Sequence, residues 1–120
     1  MQPLWWIGSI LRDLRAFPER VRREIGFALY VAQQGEKHPD ARPLRGFGGA
    51  GVLEVVTNFD GDTYRTIYTV RFPTGIYVLH AFQTKSIRGI STPKRELDLI
   101  HARLRQAEAF DRERREDVNR

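Results

Sequence analysis

The chain contains no cysteine, a single methionine, and only three lysines (Lys37, Lys85 and Lys94) in 120 residues. Without cysteine there are no disulfides, no thiolate catalysis and no cysteine-ligated zinc, and the composition suits a reducing cytoplasm. Long hydrophobic runs are also missing. The apolar stretch Leu4-Trp5-Trp6-Ile7 is far too short for a signal-peptide core or a membrane span. No internal repeat and no linker divides the chain, so one domain is expected over residues 1–110, followed by a charged tail at 111–120 that is expected to fray. Cationic charge is carried by arginine, which binds phosphate and carboxylate bidentately and never titrates. The net charge of +5 therefore suits a nucleic-acid or acidic-protein partner, and with so short an apolar run no membrane partner is expected.

Apolar periodicity lays out the elements. Pro3 to Gly8 reads as a short aromatic strand presenting Trp5 and Trp6 to opposite faces. Ser9 can cap a first helix through Leu11, Leu14 and Arg15. Pro18 suits the first position of a second helix ending near Gly35, with Val21, Ile25, Ala28, Leu29 and Ala32 as its buried stripe. Glu36 to Gly51 reads as a long loop. Three strands follow, Val52–Phe59, Tyr64–Phe72 and Ile76–Lys85, joined by turns at Asp60-Gly61-Asp62-Thr63 and Pro73-Thr74-Gly75. Thr92 as cap and Pro93 as first residue open a last helix that buries Leu97, Ile100 and Leu104. This order predicts a two-layer α+β domain: a small antiparallel or mixed sheet, two N-terminal helices on one face, and a C-terminal helix.

Arg65 stands in the middle of a strand. Alternation puts it with Arg71 on one face, while Tyr64, Tyr68, Val70 and Phe72 take the other. A buried guanidinium without a partner is very costly, so Arg65 is either ion-paired or faces an anion. If Phe72 pairs with Ile76, Arg65 falls opposite Gln83 and Arg71 opposite Tyr77. That register gathers Arg65, Arg71, Tyr77, Gln83 and Lys85 on one face. Gly46-Phe47-Gly48-Gly49-Ala50-Gly51 matches the spacing of a dinucleotide fingerprint, but it follows a loop and enters a strand, which excludes that reading. His38, His80 and His101 lie in separate segments without metal-ligand spacing, so no metal and no cofactor are expected. His80 alternates with Val78 and Phe82. It is expected as a hydrogen-bonded histidine on the core-facing side and is also a candidate for catalysis.

Several segments together resemble the HigB-like, phage-derived branch of the RelE/ParE toxin superfamily. They are Asp13-Leu14-Arg15-Ala16-Phe17-Pro18, Lys37-His38-Pro39, Pro43-Leu44-Arg45-Gly46-Phe47-Gly48, Val52-Leu53-Glu54-Val55, Tyr64-Arg65-Thr66-Ile67-Tyr68, Leu79-His80-Ala81-Phe82-Gln83-Thr84-Lys85 and Thr92-Pro93-Lys94-Arg95-Glu96. The resemblance implies a RelE-like fold and a cytoplasmic toxin of a type II toxin–antitoxin pair. It also implies a metal-independent endoribonuclease that cuts mRNA on the ribosome, with a helix-turn-helix antitoxin as partner. Arg65 and Lys85 match the family's catalytic positions; Arg71, Tyr77, Gln83 and Arg88 are the implied substrate-binding residues, with His80 as a further candidate. Thr84 and Val56 stand where relatives often carry basic residues. Two other readings stay open: a toxin-fold protein acting on a non-RNA target such as a topoisomerase, and a non-catalytic nucleic-acid-binding module.

Overall fold

The computed structural model describes residues 1–49, 51–85 and 92–118. Its elements run β1 (Leu4–Trp6), α1 (Ile10–Arg15), α2 (Glu19–Gln33), β2 (Ala41–Pro43), β3 (Val52–Phe59), β4 (Asp62–Thr69), β5 (Ile76–Lys85) and α3 (Lys94–Val118). The strands form one five-stranded sheet in the order β1-β5-β4-β3-β2. β1 lies parallel to β5 and every other pairing is antiparallel, so the sheet is mixed. This is the α+β arrangement of the RelE-like fold.

The helices divide between the two faces because the strands are apolar on both. Val21, Ile25, Ala28, Leu29 and Ala32 of α2, with Ile10 and Leu14 of α1, pack on Leu53, Val55, Tyr64, Tyr68, Ile76 and Val78. Burying Val21, Ile25 and Leu29 contributes about 1.5–3 kcal/mol each. That outweighs the roughly 1 kcal/mol that Gly26 costs in mid-helix. The C-terminal helix adds a layer on the opposite face, setting Ile100, Leu104 and Ala107 on Val52, Ile67, Tyr77 and Leu79. Trp6 joins the first core and Trp5 the second, as strand alternation requires.

Local chemistry accounts for the boundaries. Pro18 serves as the cap of α2 rather than its first residue, its carbonyl accepting from the Arg22 N–H at 2.9 Å. The expected long loop contains β2, a three-residue edge strand paired with β3. β4 stops at Thr69 rather than Phe72; the Val70 N–H still donates to the Gly51 carbonyl at 3.0 Å, one step beyond the Val52–Thr69 pair. The Arg71 side chain lies over Gly51, where φ is +71° and an added Cβ would meet the Arg71 Cγ at 2.3 Å. α3 is helical through Val118, which takes in most of the charged tail. No helix among the described residues is long and apolar enough to cross a membrane.

The register between β4 and β5 differs from the expected one. Arg65 lies opposite Phe82 and Ile67 opposite His80, but Tyr68 is opposite Val78, so the ladder has a one-residue shift at Leu79. Such a bulge flips the faces of everything beyond it. Below it Tyr77 and Leu79 face α3; above it His80 and Phe82 do. Gln83 and Lys85 thereby move to the face opposite Arg65. From Ile76 to Phe82 the strand is buried throughout, so its sequence alternates too little to reveal the shift.

Candidate active site

The tight turn at Asp60-Gly61 pairs Phe59 with Asp62 and so sets Val56 directly opposite Arg65. Glu54, two residues back on β3, then shares that face one diagonal step away. Its Oε1 accepts from the Arg65 guanidinium at 3.0 Å, with the two side chains only 14% and 17% exposed. Its Oε2 accepts from the Thr92 hydroxyl at 3.2 Å. Arg65 is therefore ion-paired, one of the two states its strand position demands. Arg42 of β2 is the ladder partner of Glu54 and is itself exposed.

Thr92 leads into α3, which starts two residues later at Lys94. Its hydroxyl therefore ties the approach to α3 to β3. The first turn of that helix carries exposed Lys94 and Arg95, paired with Asp98 at 3.3 Å and Glu96 at 3.9 Å, at the positive end of the helix dipole.

Beside this pair, His80 is buried with 6% of its surface exposed and stacks on Phe82 at 4.9 Å. Its Nε2 contacts the Glu96 carboxylate, and its Nδ1 lies 2.9 Å from the Arg103 guanidinium, which also donates to the Leu79 carbonyl at 3.1 Å. A guanidinium can only donate, so Nδ1 accepts and the imidazole proton sits on Nε2, facing Glu96. Burial pushes the His80 pKa below its ordinary value against the pull of Glu96; Arg103 pushes the same way, while more distant Asp13 opposes. The imidazole is held neutral, and both nitrogens are engaged.

The other expected site residues are dispersed. Arg71 donates to the Gly49 carbonyl and straps the glycine-rich segment. Tyr77 is fully buried near the opposite end of β5, its hydroxyl bonded to Thr74 at 2.7 Å and Arg114 at 3.2 Å. Gln83 is exposed and donates to Asp62 at 2.7 Å, and exposed Lys85 lies opposite Asp62 in the ladder. Arg88 lies outside the described residues. The face that was to unite Arg65, Arg71, Tyr77, Gln83 and Lys85 is thus replaced by Glu54, Arg65, His80, Phe82, Thr92, Glu96 and Arg103. Glu54 was legible in principle, since the two-residue turn sets its register with Arg65. Glu96 and Arg103 lie seven residues apart on one side of α3, and nothing in their spacing names His80 as the partner. Among the described residues no group of three or more His, Cys, Asp or Glu side chains is placed to hold a metal ion.

The family described as Phage derived protein Gp49-like (DUF891) matches residues 12–105, well over half of the chain and from α1 to the middle of α3. That family belongs to the RelE/HigB-type toxin superfamily and is toxin-like. No curated protein and no solved structure matches the chain.

Proposed function

Since this chain belongs to the phage-derived Gp49-like family, we propose that it is the toxin of a type II toxin–antitoxin pair and a ribosome-dependent mRNA endoribonuclease of the HigB type. The observation that carries the reading is the Glu54–Arg65 pair, a carboxylate 3.0 Å from a fixed cation and tied by Thr92 to the approach to α3. A module that merely tracks phosphates gains nothing from a carboxylate that neutralises its central arginine. A phosphodiester cleavage site needs both groups side by side.

In the proposed step a phosphate oxygen replaces Glu54 on the Arg65 guanidinium. The freed carboxylate oxygen takes the proton of the RNA 2′-hydroxyl, whose oxygen attacks the adjacent phosphorus. The P–O5′ bond breaks, leaving a 2′,3′-cyclic phosphate and a 5′-oxygen that takes a proton from water. Arg65 stabilises the charge developing on the phosphoryl oxygens, a role preorganised cations perform well. Thr92 holds the second carboxylate oxygen and fixes the base in line. The step as written uses side chains and water. Lys85, exposed at the end of β5 and based on the opposite face, is assigned to backbone contact rather than proton donation. Exposed Arg42, Lys94 and Arg95 are assigned to backbone contact as well. A helix-turn-helix antitoxin is the proposed protein partner.

The test is incubation of the purified protein with mRNA, alone and loaded on translating ribosomes. The reading expects fragments with 5′-hydroxyl ends only with ribosomes, and loss of cleavage by about 100-fold or more in Glu54→Gln. Intact mRNA in both arms, with growth still arrested on induction, would transfer the activity to another target.

A further inference from the structure

His80 stands between two groups of opposite charge on one helix. Glu96 lies in the first turn of α3 and Arg103 two turns later, so a single imidazole pins the N-terminal half of that helix to β5. The pin works only for a neutral ring whose Nδ1 lone pair faces Arg103. A proton on Nδ1 would set N–H against guanidinium N–H, two donors and two positive charges with no acceptor between them. Thr92, on the approach to the same helix, is bonded to Glu54, so release of the first turn withdraws a support of the Glu54–Arg65 pair.

We infer that His80 is a positioning residue and a proton-operated latch: neutral, it locks α3 over the Glu54–Arg65 pair, and protonated it expels Arg103 and unlocks the helix. The charged groups that face it are Glu96 and Arg103 from α3, with Asp13 of α1 acting at longer range. Glu96 alone would favour the proton. Burial and Arg103 oppose it, and the balance lowers the folded pKa. The stability supplied by the neutral ring is therefore complete above the unfolded value near 6.5 and is lost as pH falls through the lower folded value. Glutamine offers an N–H and a carbonyl oxygen at similar reach and does not titrate, so it should keep the latch closed at every pH. The proposal deepens the ribonuclease reading by naming a control on its site, yet it can be tested without that activity.

The experiment has two readouts on the whole chain. Imidazole NMR of nitrogen-labelled protein at neutral pH should show His80 with its proton on Nε2 and a bare Nδ1; a protonated Nδ1 would overturn the proposal even if every variant failed to fold. Thermal unfolding should then be followed between about pH 7.5 and 5.5, where histidine alone among side chains ordinarily titrates. Wild type should lose about 4 °C more than His80→Gln over that range. Identical profiles for the two proteins would defeat the latch. If mRNA cleavage exists, it should fall toward acid pH in wild type and less so in His80→Gln. An absence of cleavage would leave the latch standing and remove only the ribonuclease reading; cleavage with parallel pH profiles would do the reverse.

Discussion

Glu54 and Arg65 hold opposite charges 3.0 Å apart where both are largely withdrawn from water. Breaking such a pair costs more than breaking an exposed one, because removing either member leaves the other with a desolvated charge. Arg65→Ala should therefore cost stability of about 1–2 kcal/mol as well as function. Its effect on cleavage should be larger, about 100-fold or more, so rate and stability must be measured on the same preparation. Tyr68 supplies the opposite case. It is buried on the α1–α2 side, its hydroxyl has no hydrogen-bond partner among the described residues, and burial pushes its pKa up to about 12. Tyr68→Phe should raise stability by about 1 kcal/mol in a denaturant titration, because it removes a buried polar group that gains nothing there. Although Tyr68 belongs to the motif that carries Arg65, its ring points to the other core, so this change should leave cleavage intact.

At the scale of elements, strand β3 and the buried stripe of α2 were readable because each obeys its own period, and the bounds of β5 because the turn residues before it mark its start. The α2 stripe recurs at three- and four-residue spacing, and β3 runs from Val52 to Phe59 as its turn signals require. What was not readable arises between elements. The one-residue shift at Leu79 leaves no mark in a strand buried on both faces, yet it decides that His80 and Phe82, not Gln83 and Lys85, accompany Arg65. The face covered by α3 is likewise a tertiary outcome, set by which sheet residues meet Ile100, Leu104 and Ala107. The far half of α3 is anchored by Asp111, which is 1% exposed and accepts from the Thr74 N–H and hydroxyl and pairs with Arg115 at 3.0 Å. Asp111→Ala should cost about 2–4 kcal/mol. It should also speed amide exchange in the last turns of α3 before the sheet opens. Gly75 is the matching constraint on β1. Its φ is +146°, and a Cβ there would lie 2.6 Å from the Pro3 carbonyl and 2.8 Å from Trp5 Nε1. Gly75→Ala should therefore loosen the parallel edge pairing by about 1–3 kcal/mol, read as a lower unfolding midpoint.

For the whole molecule, the two faces divide the labour. One carries α1, α2 and the larger core; the other carries α3 and, tied by Thr92 to the approach to that helix, the Glu54–Arg65 pair. Alkaline unfolding should report the first face. The raised pKa of Tyr68 means stability is complete below the unfolded value of 10.0 and is lost as pH rises through about 12, and Tyr68→Phe should flatten that limb. Function should report the second. The most direct test is a map of new mRNA 5′-hydroxyl ends after brief induction in wild type, Arg65→Ala and Tyr68→Phe. The account predicts cuts inside translated frames for wild type and Tyr68→Phe, and their disappearance in a folded Arg65→Ala protein. Cuts that persist undiminished without Arg65 would contradict it.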